Sequence, residues 1–411
     1  MATVTYTKNA PEYFWDQFSE GHSYSLAVSS DKKAVTLTFS GVEAGWTKKL
    51  VLTGSSLTIS GDKITGGTIT GLKALNDKGL DIYTVTGLSI RGYNFRTDNL
   101  YEMKGLVLSG DDKITGTAKG DDIETGAGKD TVNAGLGDDY IKDFMGADIY
   151  DGGAGWDELD FSEGVRNAAW VPSKGISANM ATGKIIDPWG FTDTVKNIEG
   201  IYGTNYVDKF VGSSGDNEFA GLAGADTIDG GAGNYDGVMY NRDYDRGGRG
   251  KITVDLSKGY AIDGFGDRDT LKNIEEVQGG KGNDTLIGDN KSRNFLRGGD
   301  GNDTLRGNGG AEDRLEGQVG TDTLIGTKGT KDFFVFRDRG GQNLGTDTVK
   351  AFTDGEDKIQ FRNFSKIDSI SDLKITQSTD GTDAIITFSH GKIIIEDIKI
   401  AKLTASDFLF E

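Results

Sequence analysis

From residue 107 to 160 the apolar positions keep a fixed interval. Ile114, Ile123, Val132, Ile141, Tyr150 and Leu159 stand nine residues apart, with polar or small residues between them. A helix would repeat its apolar face every three to four residues, and a half-buried strand would alternate. One apolar side chain per nine residues, between glycine clusters, instead predicts very short strands joined by tight turns. Two positions before each apolar residue sits an aspartate: Asp112, Asp121, Asp130, Asp139, Asp148 and Asp157. Two before five of those sits a glycine (Gly110, Gly128, Gly137, Gly146 and Gly155). The segment Gly152 to Asp160 spells the unit out as G-G-x-G-x-D-x-U-x, with U apolar.

Two more arrays follow the same grammar. Residues 203 to 239 place Asp208/Phe210, Asn217/Phe219, Asp226/Ile228 and Asp236/Val238 in the two slots. Residues 279 to 335 place Asp284/Leu286, Asn294/Leu296, Asp303/Leu305, Asp313/Leu315, Asp322/Leu324 and Asp332/Phe334, with the interval alternating between ten and nine. Between arrays lies a duplication. The segment from Ile176 parallels the one from Ile252 at an offset of 76, so Asp193 answers Asp269 and Ile198-Glu199 answers Ile274-Glu275. Both copies alternate apolar and polar residues, which predicts extra strands that interrupt the arrays and carry the sheet onward.

Outside the arrays the pattern is that of ordinary strands. Val35 to Phe39, Leu57 to Ile59 and Ile82 to Val85 alternate between glycine turns, after a short helix predicted from Pro11 with Phe14, Trp15 and Phe18. Ile385 to Phe388 and Ile393 to Ile395 are strands of the C-terminal stretch. The expected domains are an N-terminal β-rich module (1–105) and a first array (106–160). Second and third arrays follow (161–335), interrupted by inserts at about 161–202 and 240–278, and then a C-terminal cap (336–411).

A nine-residue unit buries almost nothing alone, so the units must stack. Two consecutive units make one coil of a flattened solenoid, with turns on opposite edges and coils at the inter-strand spacing of ~4.8 Å. The predicted fold is therefore all-β: a right-handed parallel β-roll, or β-solenoid, with flanking strand-rich N- and C-terminal modules. Stacking puts Asp121, Asp139 and Asp157 along one edge and Asp112, Asp130 and Asp148 along the other. Carboxylates one strand apart repel unless a cation lies between them. Calcium suits the place, because it takes six to eight oxygens from carboxylates and from carbonyls that glycine turns expose; magnesium demands a tighter octahedron. A single G-x-D is an ordinary turn; repetition in register is what points to metal. The candidate ligands are Asp112, Asp121, Asp130, Asp139, Asp148, Asp157, Asp208, Asp226, Asp236, Asp284, Asp303, Asp313, Asp322 and Asp332. Asn217 and Asn294 offer only a neutral oxygen, which predicts weak or empty turns there.

Composition sharpens this picture. Among 411 residues there are 63 glycines but only 3 prolines, so the glycines belong to turns in register and not to a disordered linker. The formal charge of −19 opposes binding to nucleic acid and favours cations. With no cysteine, disulfides, zinc thiolates and thiol catalysis are all excluded. No apolar run approaches the ~18 residues of a membrane span, and the N-terminus lacks the basic and apolar regions of a cleavable signal. There is no H-E-x-x-H and no G-x-S-x-G. The two histidines, His22 and His390, read as loop and turn residues. A carboxylate-only site among Glu12, Asp16, Asp77 and Asp81 is the alternative to a solvated face. Arg242, Arg246 and Arg249 read as an exposed connection.

From about residue 107 to the end, the chain resembles the RTX (repeats-in-toxin, haemolysin-type) calcium-binding proteins. The likeness extends to TDTVKAFTDGEDKIQF (Thr346 to Phe361) and the ending LTASDFLFE. LTISGDKITGGTITGL (Leu57 to Leu72) is similar to segments that precede such arrays. The resemblance implies multiple Ca2+ ions between turns and export by a type I (ABC) secretion apparatus that reads an uncleaved signal within 336–411. It also implies a chain unfolded in a calcium-poor cytosol that folds extracellularly. The expected function is that of a secreted, non-enzymatic calcium-binding protein acting in adhesion, matrix or surface interaction, with extracellular polysaccharide or a cell surface as partner. The alternative is a secreted polysaccharide-active enzyme (lyase, hydrolase or epimerase-like) carrying an RTX module.

Overall fold

A computed structural model describes residues 3–6, 23–40, 49–60, 63–75, 81–91, 110–162, 174–291, 293–310 and 312–411. The helix expected around Phe14 to Phe18, together with Glu12, Asp16, His22 and Asp77, lies outside the described residues. The chain divides into two compact units, Met1–Tyr202 and Gly203–Glu411.

The first unit opens with a meander. Ser23–Val28, Ala34–Ser40, Lys49–Ser60, Lys63–Leu75 and Asp81–Arg91 each run antiparallel to the next. Alternation along them buries Val35, Leu37, Leu50, Leu52 and Ile69. The strand Thr3–Tyr6 joins this meander to the first array. It pairs antiparallel with Asp81–Arg91 and parallel with Lys113–Thr115, where Val4 faces Ile114. Four residues with no partner in view give no sequence signal for such a role.

From there the nine-residue units stack as a parallel β-roll. On one face Ile114, Val132, Tyr150 and Val195 are in register; on the other, Ile123, Ile141, Leu159 and Ile201. The first three members of each column are no more than 1% exposed. The tight turns depend on glycine. Gly137 has φ +101° and a Cβ there would lie 2.5 Å from the Gly120 nitrogen, so no other residue fits without moving the neighbouring coil.

The insert of the first unit folds as Ser177–Asn179 and Lys184–Ile186, an antiparallel hairpin, then Thr192–Lys196, which returns parallel to Ile149–Ala154. The column therefore passes from Tyr150 to Val195 without losing a rung. The second unit repeats the device. Thr253–Asp255 and Tyr260–Ile262 form the hairpin, Arg268–Lys272 returns to Thr227–Asp229, and Glu276–Gln278 to Gly237–Met239. Thr253–Asp255 then pairs parallel with Thr285–Ile287, so the hairpin seeds the next stack.

In the second unit one column runs Val254, Leu286, Leu305, Leu324 and Val349. The other runs Phe219, Val238, Val277, Leu296, Leu315, Phe334, Ile359 and Phe408. The last strand, Phe408–Phe410, is thus a rung of the roll itself. His390 occupies the turn between Ala384–Phe388 and Gly391–Ile395. The arginine-bearing connection is more ordered than its sequence suggests: Tyr240–Arg246 is a 3-10 turn that buries Tyr240 and Asp243.

Candidate metal sites

Every candidate aspartate is buried, at 9% exposure or less. Their carboxylates form ladders across the coils. In the first unit the Asp112 amide donates to Asp130 Oδ1 (2.7 Å), that of Asp130 to Asp148 (2.6 Å) and that of Asp148 to Asp193 (2.9 Å). On the opposite edge Asp121 donates to Asp139 (2.8 Å), Asp139 to Asp157 (2.9 Å) and Asp157 to Glu199 Oε2 (3.0 Å). The second unit continues the rule. Asp208 leads to Asp226 and Asp269, and Asn217 to Asp236 and Glu275. Asp284, Asp303, Asp322 and Asp347 follow one another, as do Asn294 and Asp313, and Asp332 and Asp357.

The second carboxylate oxygen sorts the sites. In Asp121, Asp208, Asp284 and Asp332 it accepts a nearby main-chain N–H, from Thr117, Thr204, Gly280 and Thr327 respectively. In Asp148 it accepts the Tyr150 hydroxyl at 3.2 Å. In Asp130, Asp139, Asp157, Asp226, Asp236, Asp303, Asp313 and Asp322 it is buried without a hydrogen-bond partner. A buried anionic oxygen left unpaired costs several kcal/mol, so each of these carboxylates needs a cation or a proton.

Glycine turns form cradles that bring carboxylate and main-chain oxygens of adjoining coils together. A Cβ on Gly298 would lie 2.2 Å from Asp303 Oδ2 and 2.7 Å from the Gly317 carbonyl oxygen of the next coil. On Gly152 it would meet the Asn197 carbonyl at 2.1 Å and Asp157 Oδ2 at 2.5 Å. Each cradle brings a carboxylate and a main-chain carbonyl of the neighbouring coil so close to the glycine that a side chain there would displace them. The donor set is all oxygen, which suits a hard cation, and calcium fits it.

Burial drives the carboxyl groups far from their ordinary range. Loss of water pushes Asp226 up to about 9, Asp130 and Asp303 to about 8, and Asp139 and Asp236 to about 7. The ladder N–H bonds pull the other way, and neighbouring carboxylates add to the rise. Asp148, Asp284, Asp313 and Asp322 rise to about 6 for the same leading cause. Asp121, Asp157 and Asp332 are raised as well. Metal-free, such a stack favours protons; a divalent ion supplies the missing positive charge instead.

Several members of the ladders escaped the repeat pattern. Asp193 and Asp269, and with them Glu199 and Glu275, take array positions although they lie at the ends of the inserts. Their equivalence across the duplication was the available signal. Asn197 and Asn273, both at φ +51°, aim their carbonyls at the cradles of Asp157 and Asp236. Asparagine tolerates that left-handed conformation. Their side-chain amides hold Asp151 and Asp229, beside Lys196 and Lys272. Asp347 and Asp357 extend the ladders at a spacing of 25, which the nine-residue grammar does not contain. At Asn294 the amide nitrogen donates to the Gly307 carbonyl (3.4 Å) and to Asp313 Oδ1 (2.9 Å). It thereby takes oxygens of the kind a cation would use.

Two family models match. The RTX calcium-binding nonapeptide repeat covers residues 108–141 and 202–235, and the Peptidase M10 serralysin C-terminal domain covers 269–409. No curated protein matches the chain. Among solved structures, the extracellular lipase LipA from Serratia marcescens aligns at 20% identity over 74% of this chain, with a TM-score of 0.30. The chain spans 40% of that lipase's length, and so weak an overlap says nothing about activity. The matched repeats fall on the carboxylate ladders of both units, and the serralysin-type segment continues the roll to its last strand: the chain carries RTX calcium-binding repeats followed by a serralysin-type C-terminal domain.

Proposed function

We propose that this chain leaves the cell through a type I (ABC) apparatus and folds outside it on binding several calcium ions. Asp130, Asp139, Asp157, Asp226, Asp236, Asp303, Asp313 and Asp322 would hold ions with carbonyls of the adjoining coil. The remaining ladder aspartates would complete them, and the Asn294 turn would stay empty. The observation that carries this reading is the series of buried, unpartnered carboxylate oxygens, with Asp157, Asp226, Asp236, Asp303, Asp313 and Asp322 set against glycine turns. When bound, calcium supplies the positive charge that lets stacked carboxylates ionise inside the fold. A ligand that binds only the folded state stabilises it by RT ln(1 + [L]/Kd), about 2.7 kcal/mol at a hundredfold excess. Even ~1 kcal/mol per site, over some eight sites, is comparable to the ~5–15 kcal/mol that holds a typical domain together.

The folded protein would be a non-enzymatic scaffold for adhesion, matrix or surface contact. Exposed apolar side chains such as Phe191, Ile186 and Leu136 in the first unit support a surface-contact role. Far-UV circular dichroism during a calcium titration, with magnesium as control, tests the folding reading. The expected result is a cooperative coil-to-β transition near millimolar calcium that magnesium does not produce; a chain fully folded without calcium would refute it. Binding of the calcium-loaded protein to extracellular polysaccharide tests the role. Turnover of that polysaccharide, abolished by one carboxylate change outside the arrays, would replace the scaffold with an enzyme.

A further inference from the structure

In the unit that carries Asp148, both leading glycine slots of the repeat are substituted, by Asp143 and Phe144. Five residues before the ladder aspartate, where Asp121 has Gly116 and Asp157 has Gly152, it carries Asp143. Elsewhere in this array the slot also holds Thr125, before Asp130, and Ala134, before Asp139, so Asp143 is the one carboxylate among them. Asp143 follows the strand Tyr140–Lys142, and one of its oxygens accepts the Tyr150 hydroxyl. Its other oxygen is buried with no partner, in a residue 1% exposed.

Two more carboxylates reach the same spot from the insert. Asp187 lies in the hairpin turn before Thr192–Lys196. One of its oxygens takes three main-chain N–H groups, from Trp189 (3.0 Å), Gly190 (2.6 Å) and Phe191 (2.7 Å). Asp193 holds the Asp148 amide with one oxygen at 2.9 Å. The second oxygen of each is buried and unpartnered, and both residues are 0% exposed. Each carboxylate is therefore fixed by one oxygen and open at the other. One oxygen from each of the three residues lies within 4.8 Å of one from the other two. Calcium binds oxygens at about 2.3–2.6 Å, so a single ion can span ligands about 5 Å apart.

We propose that Asp143, in a glycine slot of the array, and Asp187 and Asp193, from the insert, form an additional calcium site that pins the inserted hairpin to the first array. The choice of ion rests on the calcium reading of the arrays. The site explains why an insert whose loop connects back to the roll over a few residues is held in one register. It also separates the two copies of the duplication. Asp263 and Asp269 correspond to Asp187 and Asp193, but Asp226 keeps Gly221 in the slot that Asp143 fills, and the Tyr240 hydroxyl takes Asp269 Oδ2 at 2.9 Å. Among the described residues, only the first trio converges in this way.

The test counts calcium ions bound by the full chain, by native mass spectrometry, for wild type, Asp143→Asn, Asp187→Asn and the double variant. Each single variant is expected to lose one ion and the double variant no more than one, while the calcium-driven β transition persists because the ladder aspartates keep their carboxylates. An unchanged count overturns the proposal. Should the variants fail to fold, anomalous difference maps from wild-type crystals grown in calcium decide it. A peak between the three carboxylates supports the site. Peaks at the glycine turns with none here refute the site alone, whereas no calcium anywhere refutes the array reading as well.

Discussion

Stripping the metal makes stability depend on pH in a direction that the buried carboxylates fix. In the second unit, burial pushes Asp226 to about 9, Asp243, Asp303 and Asp347 to about 8, and Asp236 to about 7, against 3.8 for a free side chain. Folded and metal-free, these groups keep their protons; unfolded, they ionise near pH 4. Their stabilising effect is complete below about pH 4 and is lost as pH rises towards 7–9. At pH 7 each group has lost about 1.4 kcal/mol for every pH unit above 3.8, or about 4 kcal/mol. Five such groups outweigh the ~5–15 kcal/mol of a typical domain. Metal-stripped protein is therefore expected to be largely unfolded at pH 7.5 and to regain β structure towards pH 4.5, where each group costs about 1 kcal/mol. Calcium-loaded protein is expected to stay folded at both. Far-UV circular dichroism with thermal melts, read at both pH values with and without calcium, is the assay. Equal melting temperatures at pH 4.5 and 7.5 for the stripped protein would refute the reasoning.

Three substitutions probe the turns and the core. Gly221→Ala sets a methyl group 2.2 Å from Asp226 Oδ2; it is expected to remove one ion from the calcium count and to cost about 2–4 kcal/mol in calcium-loaded melts. Leu315→Ala empties a 0% exposed position in the middle of a column and is expected to cost about 2–5 kcal/mol, read by denaturant titration in saturating calcium. Asn294→Asp replaces the amide that donates to the Gly307 carbonyl and Asp313 with a carboxylate. It is expected to add one ion to the calcium count and to lower stability without calcium.

The roll and its apolar columns were legible because each nine-residue unit sends one apolar side chain to the column at a fixed position, and a strict period follows. The ladder aspartates were legible for the same reason. Where the chain departs from the period, the sequence is silent about pairing. Asp193 and Asp269 regain the ladder after a hairpin whose length no local rule sets, and Asp347 regains it after a wider loop. Thr3–Tyr6 pairs with a strand some eighty residues away and with the first array, a non-local choice that four residues cannot announce. Asp143 falls in a glycine slot of the repeat, and its meaning depends on Asp187, which only the fold brings near.

Aspartates within a ladder, such as Asp157, Asp226 and Asp303, join two coils, since one oxygen accepts the amide of the neighbouring coil and the other faces a glycine turn. An occupied turn thus orders the next, and stability should spread between neighbours as in other repeat proteins. The starting point should be where burial needs no ion. In the second unit that place is the C-terminal end, where Phe336, Phe361, Phe364, Phe388 and Phe410 pack with ring centroids 5.2 to 6.3 Å apart. The strand Phe333–Arg337 buries four consecutive residues, whereas the array strand Thr323–Ile325 buries one. Each buried phenylalanine contributes about 2–3 kcal/mol without any carboxylate. Pulse-labelled hydrogen exchange during calcium-triggered refolding should therefore protect Phe333–Arg337 and Lys358–Arg362 before Lys209–Val211 and Thr227–Asp229. Phe361→Ala should slow refolding more than Leu286→Ala at equal loss of stability. If the strands near Gly203 are protected first, the ions organise the unit and the aromatic cluster merely closes it.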